Sequence, residues 1–232
     1  MQMSTRAVAL LEFVSFVALA LISKRVVDLV TWRFSGPISL ALTVLVLSLY
    51  VRRSGGNWAA MGLVRLDDAR ARLLVLPKAF LTFLAFCLTV GSILGFGAAF
   101  DLDLINEVPT GVEDRWGGLE GNLVLYLGWL GLTWTSAAFL EEMFFRGFLI
   151  TQGQKVFGEG RLGSALAVMI AALIFGYGHV YYQGLRGLLV TGAIGLAFGT
   201  MFLVFKRNLW PIILIHGLID TLVFTSRYMG WE

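Results

Sequence analysis

The sequence predicts an all-α protein, a polytopic bundle of seven or eight transmembrane helices with an active site within the membrane, and three observations carry that prediction. Of its 232 residues, 58% are hydrophobic and only 14% are charged, whereas soluble domains average about 45–50% apolar and about 25% charged. Apolar runs recur at about the 20-residue length needed to cross a hydrocarbon layer about 30 Å thick. Charged side chains nevertheless interrupt the later runs at three places. A charge at the bilayer centre costs about 2.5 kcal/mol or more, so each needs a reason to be there.

The runs lie near 7–23, 36–51, 73–100, 121–150, 162–180, 185–205 and 209–226, with an eighth crossing left open. The first follows Arg6 and ends near Ala18-Leu19-Ala20, a pattern shared with cleaved signal segments, but Glu12 interrupts it and it reads as a retained helix. Between the second and third runs, residues 58–76 mix Arg65, Arg70 and Arg72 with leucines, which suits a helix on the membrane surface or a solvated connector equally. The 101–120 loop carries Asp101, Asp103, Glu107, Glu113, Asp114 and Glu120 against Arg115 alone, while 52–72 carries five arginines against Asp67 and Asp68. The positive-inside rule then places the N-terminus, Lys155, Arg161, Lys206 and Arg207 in the cytoplasm and the acidic loop outside, with Lys24, Arg25 and Arg33 against the trend. The fourth run, extended from Asn122 to Phe157, exceeds one crossing and reads as a single long helix rather than one broken at Gly128 and Gly131. Gly192, Gly195 and Gly199 are expected at close helix contacts. No repeat or linker divides the chain, so 1–232 reads as one transmembrane domain with a motif-bearing core at about 119–226.

Composition also excludes functions. A net charge of +3 spread between apolar runs argues against a nucleic-acid partner and leaves the lipid bilayer as the surrounding medium. The single Cys87 excludes an internal disulfide and a cysteine-based zinc site.

The three interruptions are Glu141-Glu142 with Arg146 in the fourth run, His179 at the end of the fifth, and His216 with Asp220 in the last. Glu142 and Arg146, four residues apart, share a helix face and can pair. Glu141 is left without a local partner and must look to another helix. A carboxylate isolated among apolar groups suits a general base. His216 and Asp220 are again four apart, and the two histidines are the only ones in the chain. Phe144, Phe145, Phe175, Tyr177, Tyr181 and Tyr182 read as packing and interface aromatics. At a rise of 1.5 Å per residue, Glu141 and His179 lie about 21 and about 27 Å above the cytoplasmic ends of straight helices, but His216 only about 12 Å. Something must bend to bring the three level, and Gly176, Gly178 and Gly184 around His179 permit a broken helix.

The three pieces resemble, in order and spacing, the CAAX prenyl protease and bacteriocin-processing (Abi) family of intramembrane peptidases, whose pattern is Glu-Glu-x-x-x-Arg, Phe-x-x-x-His and His-x-x-x-Asn or Asp. Here these are Glu141-Glu142 with Arg146, Phe175 with His179, and His216 with Asp220, over about the last 110 residues, including Asn208-Leu209-Trp210-Pro211 before the last motif. The resemblance implies hydrolysis of a peptide bond in the membrane, with Glu141 and His179 activating water and His216 and Asp220 binding the oxyanion. Glu142, Arg146 and Phe175 would support them. An ionised Asp220 would repel an oxyanion, so it is expected to be protonated or to act only by orienting His216. The expected partner is a peptide or protein substrate, a prenylated tail or a leader peptide among the candidates, in a bacterial inner membrane. No cofactor is expected. A zinc enzyme using Glu141, His179 and His216 is the alternative, although the compact metalloprotease motif with histidines four apart is absent. A proton-coupled transporter would show paired repeats, which are missing. A non-catalytic scaffold or self-immunity protein would not need these ionisable groups intact.

Overall fold

The computed structural model describes residues 4–231, and among them every regular element is helical. We label the seven long helices in chain order: α1 (Thr5–Asp28), α2 (Ser35–Arg53), α3 (Val75–Ala99), α4 (Leu123–Phe157), α5 (Arg161–Tyr177), α6 (Val180–Val204) and α7 (Trp210–Met229). They correspond one to one with the seven apolar runs. Six are long and apolar enough to cross a bilayer, and α5, with 17 residues, stands at the lower limit of a crossing helix. No eighth crossing is present among the described residues. Side chains such as Leu88 (72% exposed), Leu162 (75%) and Val124 (84%) point away from the bundle. Such a surface is stable in hydrocarbon and would aggregate in water, as expected of an integral, multi-pass membrane protein.

The long fourth run does form one continuous helix, but its turn changes along the way. Leu123–Leu132 and Thr151–Phe157 are α-helical, and Thr133–Ile150 between them is π-helical, with i→i+5 bonding. From Glu142 to Gln154 every residue except Phe145 is buried, because α1, α2, α5, α6 and α7 all pack against this helix. A helix enclosed on all sides can be apolar all round, which explains why the run shows no polar face. Glu12, which interrupts the first run, is satisfied within the bundle: it accepts from Tyr50 at 2.6 Å and from Gln152 on α4 at 2.8 Å.

Residues 58–76 resolve as a connector. They hold a single turn at Trp58–Met61 and a five-residue helix at Ala69–Leu73, too short to lie along a membrane surface. The connector straps the start of α7: Leu209 N–H donates to the Gly62 carbonyl at 2.9 Å and Trp210 Nε1 to that of Val64 at 2.7 Å.

Helices α5 and α6 meet through small residues, as read from the glycines. A Cβ on Gly176 would lie 2.6 Å from the Leu188 carbonyl oxygen and 2.9 Å from Gly192 Cα. Neither is a side chain that can swing aside. Gly176→Val is therefore expected to force the helices apart and lower stability by about 1–3 kcal/mol. A thermal melt in detergent should show this, with Gly91→Ala, where nothing lies within 4 Å of the added atom, as the silent control.

Candidate active site within the bundle

The predicted residues come together. Glu141 from α4, Phe175 from α5, His179 from the break between α5 and α6, and His216 and Asp220 from α7 all line one cavity of about 310 Å³. From α4 the lining comes from Leu132, Thr133, Ser136, Ala137 and Glu141. All of these but Leu132 lie in the π-helical stretch, which thus presents Glu141 to the cavity. It also narrows the mismatch in depth. A wide turn advances less per residue than an α-helix, so Glu141 lies nearer the start of α7 than a straight count gives, and His216 reaches its neighbour Glu142 directly.

The second half of the answer is the break at His179. Helix α5 stops at Tyr177, the chain turns with His179 N–H bonded to the Gly176 carbonyl at 3.0 Å, and α6 starts at Val180. Gly184, with φ +55° and ψ −150°, kinks α6 one turn later in a conformation that side-chain-bearing residues avoid. His179 Nδ1 lies 2.8 Å from the Phe175 carbonyl oxygen. A carbonyl only accepts, so Nδ1 carries the proton and Nε2 keeps its lone pair. The Phe175 ring packs edge-on against the imidazole at 4.8 Å and lies 4.2 Å from the Arg146 guanidinium carbon. Phe175 thus fixes His179 through its backbone and packs Arg146 through its ring.

Glu142 and Arg146 form the ion pair expected from their spacing, 3.0 Å apart and almost wholly buried. The same oxygen, Glu142 Oε1, also accepts from His216 Nδ1 at 2.8 Å. The orienting bond on His216 thus comes from another helix, while Asp220 Oδ2 stands 3.7 Å from Nε2, beyond hydrogen-bond length. Each ring nitrogen faces a carboxylate oxygen, so each can donate. Glu141 makes no hydrogen bond or ion pair among the described residues. No three histidine, cysteine, aspartate or glutamate side chains among them stand close enough together to hold a metal ion, and His216 Nδ1 is already committed to Glu142.

Two features went unread in the sequence. Tyr182, taken as a packing aromatic, is buried and lines the cavity, as does Arg115, the lone base of the acidic loop. The loop folds back as a helix, Thr110–Trp116, and Gly111 lets it touch the backbone of Tyr182, where a Cβ would lie 2.6 Å from the carbonyl oxygen. Arg33 pins it from the other side, donating to the carbonyls of Arg115 at 2.6 Å and Gly117 at 3.0 Å. Lys24 pairs with Asp28 at 2.9 Å and sits over the Tyr181 ring. Two of the bases that break the charge rule therefore have structural work on this side of the bundle. A signal was available: Val112, Arg115, Trp116 and Leu119 follow the i, i+3, i+4, i+7 spacing of a buried helix face.

Compared with known proteins, residues 123–222 match the family model of Rce1-like, type II CAAX prenyl endopeptidases. No curated protein and no solved structure matches the chain. The matched segment contains Glu141, Glu142, Arg146, Phe175, His179, His216 and Asp220, so all the predicted site residues fall within it.

Proposed function

We propose that this chain, Rce1-like over the segment that carries its site, is an intramembrane endopeptidase in which Glu141 and His179 activate a water against a peptide bond. The observation that carries this reading is the meeting of three groups in one cavity: an uncommitted carboxylate, an imidazole with a free Nε2, and a second imidazole held by a carboxylate. Peptide hydrolysis asks for these groups, a base for water and a donor for the tetrahedral oxygen.

Glu141 takes one proton as the water oxygen bonds to the scissile carbonyl carbon, and His179 Nε2 accepts a hydrogen bond from the other. The carbonyl π pair moves onto its oxygen, which receives a hydrogen bond from His216 Nε2. Asp220 offers no donor while ionised and serves His216 as a charge partner. The carbon–nitrogen bond then breaks, and the proton held by Glu141 passes to the leaving amine. The products are a carboxylic acid, which keeps the second water proton, and an amine, with no change in oxidation state.

The apolar walls of the cavity, among them Phe86, Trp129, Leu132 and Phe198, favour a substrate with apolar residues or a prenyl group beside the bond. The test is cleavage of a fluorogenic farnesylated peptide and its unfarnesylated twin by the purified protein, with His179→Ala in parallel and with and without a chelator. We expect the farnesylated peptide to be cleaved, His179→Ala to lower the rate about 100-fold or more, and the chelator to change nothing. Activity lost on chelation would put a metal in the mechanism. A folded wild type that cleaves no peptide in a broad library would leave a partner-binding role.

A further inference from the structure

We infer that Gln183 is a second donor to the oxyanion, its side-chain amide holding the scissile carbonyl oxygen together with His216; this rests on the peptidase reading above. His216 Nε2 is one donor for that oxygen, and Asp220 while ionised cannot be another. Charge developing on a tetrahedral oxygen is best stabilised by donors already in place. Gln183 lines the cavity with His179 and His216. Its backbone N–H donates to the His179 carbonyl at 3.0 Å, and residues four apart on a helical turn share a face, their Cβ atoms about 5–6 Å apart. The amide therefore stands beside the imidazole that receives the water.

Three features of α6 fix that amide. The Thr191 hydroxyl donates to Gln183 Oε1 at 3.0 Å. Helical threonines elsewhere in the chain, such as Thr43, Thr135 and Thr200, give this bond to the carbonyl four residues back. Thr191 instead spends its hydroxyl on a side chain eight residues away. It ends a second π-helical stretch, Gly187–Thr191, which follows the kink at Gly184, and such stretches gather at functional sites. Gly187 leaves the room: a Cβ there would lie 2.6 Å from Gln183 Cβ and 3.0 Å from Oε1. With its oxygen tied to α6, the amide has its nitrogen left over, and Nε2 makes no hydrogen bond among the described residues. An amide nitrogen only donates, so what it can take from an occupant of the cavity is an oxygen.

The test is kinetic, on the full-length protein, with the farnesylated peptide as substrate and its phosphinate twin as inhibitor, in which a tetrahedral phosphorus with a charged oxygen replaces the scissile carbonyl. Gln183→Met keeps the volume and removes the donor. It should lower kcat by about 10²–10³-fold, the range for loss of one oxyanion donor, and leave KM within about twofold of wild type. The Ki of the phosphinate should rise in step with the loss of kcat. Thr191→Val leaves the amide present but free to turn, so kcat should fall by about tenfold, the worth of one neutral hydrogen bond. Thr191→Ser, which keeps the hydroxyl, should recover most of that loss. Unchanged kcat in a folded Gln183→Met overturns the inference, as does a loss confined to KM or one that leaves the phosphinate Ki as it was. Should Gln183→Met not fold, the Thr191 pair decides: a loss in Val recovered in Ser upholds the inference, and a loss in both alike or in neither overturns it. A wild type that cleaves nothing sinks the peptidase reading and this inference with it, whereas an active wild type beside an equally active Gln183→Met sinks the inference alone.

Discussion

Glu141→Gln should leave the protein folded and lower its peptide hydrolysis by about 10²–10⁴-fold, the range for loss of a positioned general base. The substitution keeps the volume and removes the basic oxygen. It should cost little stability, because the Glu141 carboxylate has no hydrogen bond or ion pair to lose among the described residues, in contrast to its neighbour Glu142 with two. Glu141→Asp keeps the carboxylate and withdraws it by one methylene, so a partial rate is expected. The measurement is initial rate on the farnesylated peptide beside a melting curve for each variant. A Gln variant that turns over like wild type, with an unchanged melt, would move the base to another residue of the cavity.

Much of this site was legible in the sequence because membranes make charge conspicuous. Glu141, His179, His216 and Asp220 stood out against apolar runs, and all four line one cavity. The Glu142–Arg146 pair followed from a spacing of four, which survives the change of turn. The seven runs became seven helices, since length and apolarity suffice to mark a helix that has no water to bond to.

What stayed hidden depends on geometry that leaves no mark in composition. A π-helical turn differs from an α-helical one by a single residue in the reach of each hydrogen bond, so Thr133–Ile150 looks like any apolar helix. The depth mismatch of His216 was its only trace. The shorter of the two carboxylate contacts of His216 was missed for a related reason. Asp220 is near in sequence, but the short bond goes to Glu142, 74 residues away. Arg115 was hidden by its company, as one base among six acids reads as a solvated charge until the helix that carries it folds over the cavity.

Glu142→Leu should be among the most destabilising single changes in the chain, by about 3–5 kcal/mol, the cost of breaking a buried ion pair from one side. Arg146, 1% exposed, would lose its carboxylate, and it already has a buried Nη2 without a partner. His216 Nδ1 would lose its acceptor. The double variant Glu142→Leu with Arg146→Met removes both charges and keeps the volume, and buried pairs replaced in this way often lose nothing or gain. Its unfolding in mixed micelles should therefore recover most of the loss. Hydrolysis should not follow, because nothing in the double variant accepts from His216 Nδ1 and the ring is free to turn away from the cavity. Recovery of stability without recovery of activity would separate the two duties of Glu142, neutralising Arg146 and aiming His216. Recovery of both would mean that the ion pair alone matters and that His216 is held by other contacts, such as the edge-on Phe198 ring at 5.8 Å.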